Sequence, residues 1–292
     1  MKPIRIAITA DLHWGTRHPS GNDATRAMAH HLRTDPPDVV ILAGDIGAGE
    51  HFGSCLDLFA DLPGLKAAVP GNHDIWVNQG DPRGDSLEVY QKHLPEECER
   101  RGFHYLDHAA LLLPELDLAI VGTMNWYDYS WSIDDLPNFA DDWEERLRTK
   151  RFTLGMHNDA NFVRWPTNDV AFTEQLAAKL DEQLRALKVG NIVAITHHPP
   201  FRELNYPKPG PPTLNGRLWD AFSGNTTVER ILTNDPRVRF VFCGHTHFAR
   251  EARLGEIQAY NVGGDYHFKR LLTLDWTNGG VAAMEFHGDP GS

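Results

Sequence analysis

Five short apolar runs in this chain each end in residues able to hold a metal ion. Ile4 to Ala10 leads into Asp11-Leu12-His13, and Val39 to Ala43 into Gly44-Asp45. Ala67 to Val69, closed by Pro70, leads into Gly71-Asn72-His73-Asp74. Ile192 to Ile195 leads into Thr196-His197-His198-Pro199-Pro200, and Val238 to Cys243 into Gly244-His245-Thr246-His247. Short uninterrupted apolar runs are the pattern of strands buried on both faces. In open α/β sheets, ligands collect outside the carboxyl ends of the strands. A carboxylate such as Asp45 at the end of a buried strand needs a partner or a metal, because burying it alone is expensive. The expectation is an α/β chain whose strand ends converge on one site. No cut leaves the set intact, so residues 1–292 are expected to form one domain.

The converging donors are Asp11, His13, Asp45, Asn72, His197, His245 and His247. Nitrogen and oxygen donors without a thiolate suit borderline divalent ions such as Mn, Fe, Zn, Co or Ni. Seven donors exceed what one ion that also holds water and substrate can use. They fit two ions sharing a bridging carboxylate. In extended chain Asp11 and His13 project to the same side and can grip one ion together. Neighbours on a strand face opposite ways, so only one of His197 and His198 is expected to reach the site.

Composition narrows the function classes. Cys55, Cys98 and Cys243 lie far apart, which is neither a disulfide framework nor a cysteine zinc site. A reducing, cytoplasmic setting is expected. The net charge of -12 gives no overall attraction to nucleic acid or to anionic membranes. No apolar run approaches the roughly 18 residues of a membrane helix, and Met1 to Arg5 lacks the apolar core of a signal peptide.

Between the runs, helices are expected at Asn22 to Thr34, Phe52 to Leu62, Asn168 to Lys188 and Thr226 to Thr233. Asp85-Ser86-Leu87-Glu88 has capping-box spacing and opens a helix towards Arg100, which Pro95 should kink or shorten. Leu118 to Gly122 reads as another buried strand. Stretches near Ile257 to Val262, Leu271 to Trp276 and Val281 to Phe286 alternate like antiparallel strands. Thr123 to Asp169 breaks the rhythm with aromatic residues among acids, and it hangs from a strand end. It is expected to cap the active site. Trp126 and Tyr127 come first after the strand and are expected to offer a flat apolar wall to substrate. The acids should repel a long polyanion.

Taken in order, Asp11-Leu12-His13, Gly44-Asp45, Gly71-Asn72-His73-Asp74, His197-His198-Pro199-Pro200 and Gly244-His245-Thr246-His247 resemble the motifs of the calcineurin-like metallophosphoesterase superfamily. The resemblance implies a four-layer α-β-β-α sandwich with mixed sheets. It implies one ion held by Asp11, His13, Asp45 and His247, and a second held by Asp45, Asn72, His197 and His245. The family ligand precedes Pro by two positions, which selects His197. His73 matches the family's catalytic histidine, with Asp74 placed to orient it. The implied reaction is hydrolysis of a small phosphomonoester or phosphodiester by in-line attack of a metal-bridging hydroxide. Asp45 is followed by Ile46-Gly47-Ala48-Gly49, unlike serine/threonine protein phosphatases, and Ala48 stands where purple acid phosphatases carry a tyrosine. The Gly-Asn-His-Asp and His-His-Pro-Pro forms are most similar to the cyclic-nucleotide and glycerophosphodiester phosphodiesterase branch. A nuclease and a non-catalytic protein-binding scaffold of the same fold are the alternatives. The filled ligand set weighs against the scaffold, and the acidic balance against the nuclease.

Overall fold

A computed structural model describes residues 4–288; the leader reading for Met1 to Pro3 lies outside them. The chain runs β1 (Arg5–Thr9), α1 (Pro19–Thr34), β2 (Val39–Ala43), α2 (His51–Asp57), β3 (Leu65–Val69), α3 (Ser86–Glu88) and α4 (Leu94–Arg100). β4 (His104–Tyr105), β5 (Leu111–Leu113), β6 (Leu118–Thr123), α5 (Trp143–Thr149), α6 (Asp159–Phe162) and α7 (Asp169–Ala186) follow. Then come β7 (Asn191–Thr196), α8 (Leu214–Ala221), α9 (Thr226–Asn234), β8 (Val238–Cys243), β9 (Arg250–Leu254), β10 (Ile257–Asn261), β11 (Phe268–Asp275) and β12 (Gly280–His287). One sheet has the order β12-β11-β1-β2-β3-β4 and the other β5-β6-β7-β8-β10-β9.

The buried runs are apolar throughout because each strand packs on both faces. Ile6, Ile8, Val39, Ile41 and Val69 of the first sheet meet Ile120, Val193, Ile195, Phe240 and Phe242 of the second in a single core between the sheets. Alternate residues Ala7, Val40, Leu42 and Ala68 point outward to Met28, Leu32, Leu56 and Cys98 on the helical side. On the opposite flank Val121, Ile192, Ala194 and Val241 face Leu180, Leu184, Val228 and Leu232 of α7 and α9. Each fully buried aliphatic side chain stabilises by about 1.5–3 kcal/mol. The result is the expected α-β-β-α sandwich. Among the described residues no helix is long and apolar enough to cross a membrane.

β1, β2 and β3 run parallel, as do β6, β7, β8 and β10. Their carboxyl ends therefore open on one rim. β10 departs from the antiparallel expectation: it lies parallel to β8 and antiparallel to β9. β9 and α8 were not expected, since Arg250–Leu254 is largely polar and α8 follows a proline-rich loop. Pro95 does not break its helix. The helical run is continuous from Ser86 to Arg100, and it widens at Val89–His93 just before Pro95, whose ring nitrogen cannot donate to the preceding turn. The capping box at Asp85 and Glu88 forms as read.

Candidate metal centre

The strands end before the donors begin, and the backbone then turns left-handed. Asp11, His13, Asp45, His245 and His247 have φ of 57°, 43°, 52°, 72° and 60°. Such values are uncommon outside glycine and cost about 1–3 kcal/mol each, so they persist only where the surroundings enforce them. Asp11 and His13 thus converge through strained turns rather than through the strand alternation expected of them. Hydrogen bonds hold the turns: the Asp11 N–H donates to the Gly44 carbonyl (3.0 Å) and the His13 N–H to the Asp45 carbonyl (2.8 Å). Lys269, wholly buried, donates from Nζ to the Asp11 carbonyl at 2.9 Å. Gly44, at φ +87°, is required because a Cβ there would lie 2.3 Å from His197 Nδ1.

Donor atoms of Asp11, His13, Asp45 and His247 all lie within 4.8 Å of one another. His13 Nε2 faces His247 Nε2 at 3.0 Å and lies 3.7 Å from Asp45 Oδ2. On the other side of Asp45, its Oδ1 lies 3.3 Å from His197 Nε2. Asn72 Oδ1 is 3.2 Å from His197 Nε2 and 3.3 Å from His245 Nδ1. Asp45 therefore divides its two oxygens between two histidine groups. Burial pushes the His13 and His245 imidazoles well down, which leaves them neutral and with lone pairs to give. Burial works against the Asp45 carboxylate, but His197, His73 and His13 outweigh it and hold Asp45 well below the usual range. Asp11 Oδ2 is buried without a hydrogen-bond partner. A desolvated carboxylate oxygen left unpaired is costly, and a divalent cation would supply the missing partner. The donor set fits the ions expected of it.

His197 and His198 both stand beyond the end of β7, outside the strand alternation, and they take different partners. His197 Nδ1 lies 3.0 Å from the Ala43 carbonyl, which places its proton there and turns Nε2 inward. Burial opposes its charge, yet Asp45 outweighs burial and raises the imidazole to about 9. His198 packs edge-on against Trp126 and Tyr127, with its Nδ1 near the Met124 carbonyl and its ring centroid 4.0 Å from that of His245. His73 stands 3.7 Å from Asp45 Oδ2 through Nε2 and stacks on Trp76 with ring centroids 3.6 Å apart.

Two expectations are corrected. Asp74 does not orient the His73 ring: its carboxylate accepts from the Gly47 and Gly71 N–H groups, each at 2.8 Å. The short helical turn His73–Ile75 sends it inward, where it braces the loops after β2 and β3. Burial and then the nearby Asp45 charge push its carboxyl up to about 7. Trp126 and Tyr127 do not form a wall for substrate, because both are 0% exposed. Each has a polar tip that finds a buried acid: Trp126 Nε1 donates to Asp169 and Tyr127 OH to Asp159, both at 2.8 Å. Asp159 also accepts from Asn72 Nδ2 (2.9 Å) and Trp76 Nε1 (2.8 Å). It thereby turns the Asn72 oxygen towards His197 and His245, and anchors the indole on which His73 stacks.

A cavity of about 500 Å³ opens over Asp45, Asn72, His73, His245 and His247. Its walls are Trp76, Phe152, Met156, His157, Tyr206, Trp219, Phe248 and Tyr266 among others. Sequence reading missed these side chains and Asp159. Phe248 had a signal, since it adjoins His247, and Tyr266 follows β10 at the same rim. The others come from loops and a short helix without periodicity.

A family model described as calcineurin-like phosphoesterase matches residues 4–249. No curated protein sequence matches the chain. Among solved structures, a phosphopantetheinyl hydrolase from Mycobacterium tuberculosis is similar at 22% identity and a TM-score of 0.70, with 90% of each chain covered. A dimetal phosphatase from Danio rerio is similar at 13% identity and a TM-score of 0.56, covering 98% of this chain and 99% of that one. A putative 5'-nucleotidase from Staphylococcus aureus gives 13% identity and a TM-score of 0.51, with 98% of this chain and 54% of that one covered.

Proposed function

The chain belongs to the calcineurin-like phosphoesterase family of metal-dependent phosphoester hydrolases, and from that premise we propose that it hydrolyses a small phosphoester at a centre of two divalent ions. The observation that carries the reading is the division of Asp45 between two histidine groups. Asp11, His13, Asp45 and His247 would hold one ion, and Asp45, Asn72, His197 and His245 the other. Ions from the set Mn, Fe, Zn, Co and Ni suit these donors. When bound, such ions supply positive charge for phosphoryl oxygens and bring the pKa of water down to about 7.

The chain's own groups do the rest. His73 lines the cavity beside Asp45; burial lowers its imidazole, so a ring that carries a proton there readily gives it to the leaving oxygen. Such proton transfer typically contributes about 10²–10⁴-fold. Asp159 holds Asn72 by its amide nitrogen, so the oxygen stays aimed at the second group. Residues 123–169 act as a partial cap within a single domain, a reading supported by the placement of Phe152, Met156, His157 and Asn158 on the cavity wall. The test is a panel of phosphomonoesters, phosphodiesters, cyclic nucleotides, a phosphopantetheinyl ester and single-stranded DNA, each with Mn and with Zn. Turnover of a small ester that stops on chelation supports the reading. Faster cleavage of single-stranded DNA than of any small ester replaces it with a nuclease.

A further inference from the structure

Large apolar side chains are seldom left in water without use when they cluster. Four of them meet at the mouth of the metal-lined cavity: Met156, Tyr206, Trp219 and Phe248 are 47%, 47%, 43% and 41% exposed. They come from four separate segments. Met156 belongs to the stretch between α5 and α6, Tyr206 to the loop after β7, Trp219 to α8, and Phe248 directly follows His247. Two aromatic pairs organise them. Trp219 stacks on Phe152 with centroids 4.8 Å apart and planes 29° from parallel. Tyr206 meets Phe248 edge-on at 4.6 Å.

Charge separates the classes of occupant. Among the described residues no lysine or arginine lines this cavity. Of the cations nearest along the chain, Lys208 and Arg217 pair with Asp220 and Arg151 pairs with Asp142, while Arg250 donates to the Glu203 carbonyl. A second phosphate or a carboxylate on the substrate would therefore find no counter-charge beyond the ions themselves. The polar side chains of the wall are mostly engaged already: Asn205 donates to Asp220, Ser223 donates to the Trp219 carbonyl and Thr246 accepts from Asn261, which leaves Asn158 to meet a polar, uncharged group. An apolar group removes the aromatic and thioether surface from water and meets π-faces at the same time.

Resting on the phosphoesterase reading above, we infer that the substrate is a phosphoester of an apolar alcohol, whose aromatic or alkyl body lies along Trp219, Phe152, Tyr206 and Phe248. The phosphoryl group then sits over Asp45 and Asn72, and the leaving oxygen points away from the ions towards the aromatic mouth. Recognition of the organic group belongs to these side chains and not to Trp126 or Tyr127.

The test is competitive inhibition of the Mn-loaded protein by a ladder of n-alkylphosphonates from methyl to octyl. The expected result is that Ki falls about fourfold for each methylene until the chain outgrows the mouth, as full burial of a methylene implies. Trp219→Ala and Phe248→Ala, on separate elements and both exposed, should each flatten that ladder while metal content and melting temperature stay the same. A second arm uses phosphonates of equal length ending in a carboxylate, which should bind more weakly than their alkyl counterparts. A flat ladder, with methylphosphonate still inhibiting, overturns this inference and leaves the phosphoesterase reading standing. Tighter binding of the carboxylate-ended series overturns it as well. If no phosphonate inhibits and no phosphoester in the panel is turned over, the phosphoesterase reading fails and this inference falls with it.

Discussion

At the residue scale, the site rests on which atom of each side chain faces inward. Asp45 shows Oδ2 to His13 and His73 and Oδ1 to His197, so a single carboxylate faces both histidine groups. His73 sits beside these groups without belonging to either four-residue set. His73→Ala should therefore keep the full metal content and lower kcat by about 10²–10⁴-fold, the usual size of a proton-transfer contribution. Loss of an ion in that variant, measured by elemental analysis, would make His73 a ligand. Asp159 is buried and receives hydrogen bonds from Asn72, Trp76 and Tyr127. Asp159→Asn replaces an acceptor with a group that must also donate, into a ring of donors. Affinity for the ion next to Asn72 should fall about 10–100-fold, as for other groups that orient a ligand, while the ion next to Asp11 binds as before. Calorimetric titration of the metal-free variant distinguishes the two, and equal weakening of both ions would show that Asp159 acts on the whole fold.

At the element scale, the ends of the parallel strands do the positioning. Two histidines directly follow β7: His197 turns Nε2 to Asp45 and Asn72, while His198 packs on Trp126, Tyr127 and the ring of His245. His197→Ala should lose most of one ion at limiting metal. His198→Ala should keep both ions and instead lower the melting temperature, since His198 is buried against Trp126 and Tyr127. The reverse ranking in metal titrations would mean that His198 is the ligand. This is also the scale at which the sequence was most legible. Buried strands must be apolar on both faces, so their ends stand out wherever polarity returns, and Asp11, Asp45, Asn72 and His245 were visible for that reason. Trp126 and Tyr127 stand just as close to a strand end, yet they turn inward. Proximity along the chain says which rim a residue leaves from, while the direction of its side chain depends on acids such as Asp159 and Asp169 far along the chain. Trp219 and Tyr206 meet Phe248 only in three dimensions, and no local pattern marks those two.

At the scale of the whole molecule, the centre is a seam. Asp11, His13, Asp45 and Asn72 follow strands of the first sheet, whereas His197, His245 and His247 follow strands of the second. Ions held by both groups of residues would tie the two halves of the sandwich together across their shared core. Binding to the folded state alone at about a hundred times Kd stabilises by about 2.7 kcal/mol, which for a chain of this size is roughly 5–10 °C in melting temperature. Chelation followed by a thermal melt should show a loss of that order, restored by Mn or Zn; an unchanged melt would mean that the ions do not span the seam. The central claim is that Asp45 bridges two ions while Asp11 serves one. Metal stoichiometry of the purified protein, of Asp45→Asn and of Asp11→Asn tests it most directly. The expected values are about two ions per chain in the wild type, loss of both in Asp45→Asn, and loss of only one in Asp11→Asn. Equal losses in the two variants, or a wild type that saturates with a single ion, would contradict it.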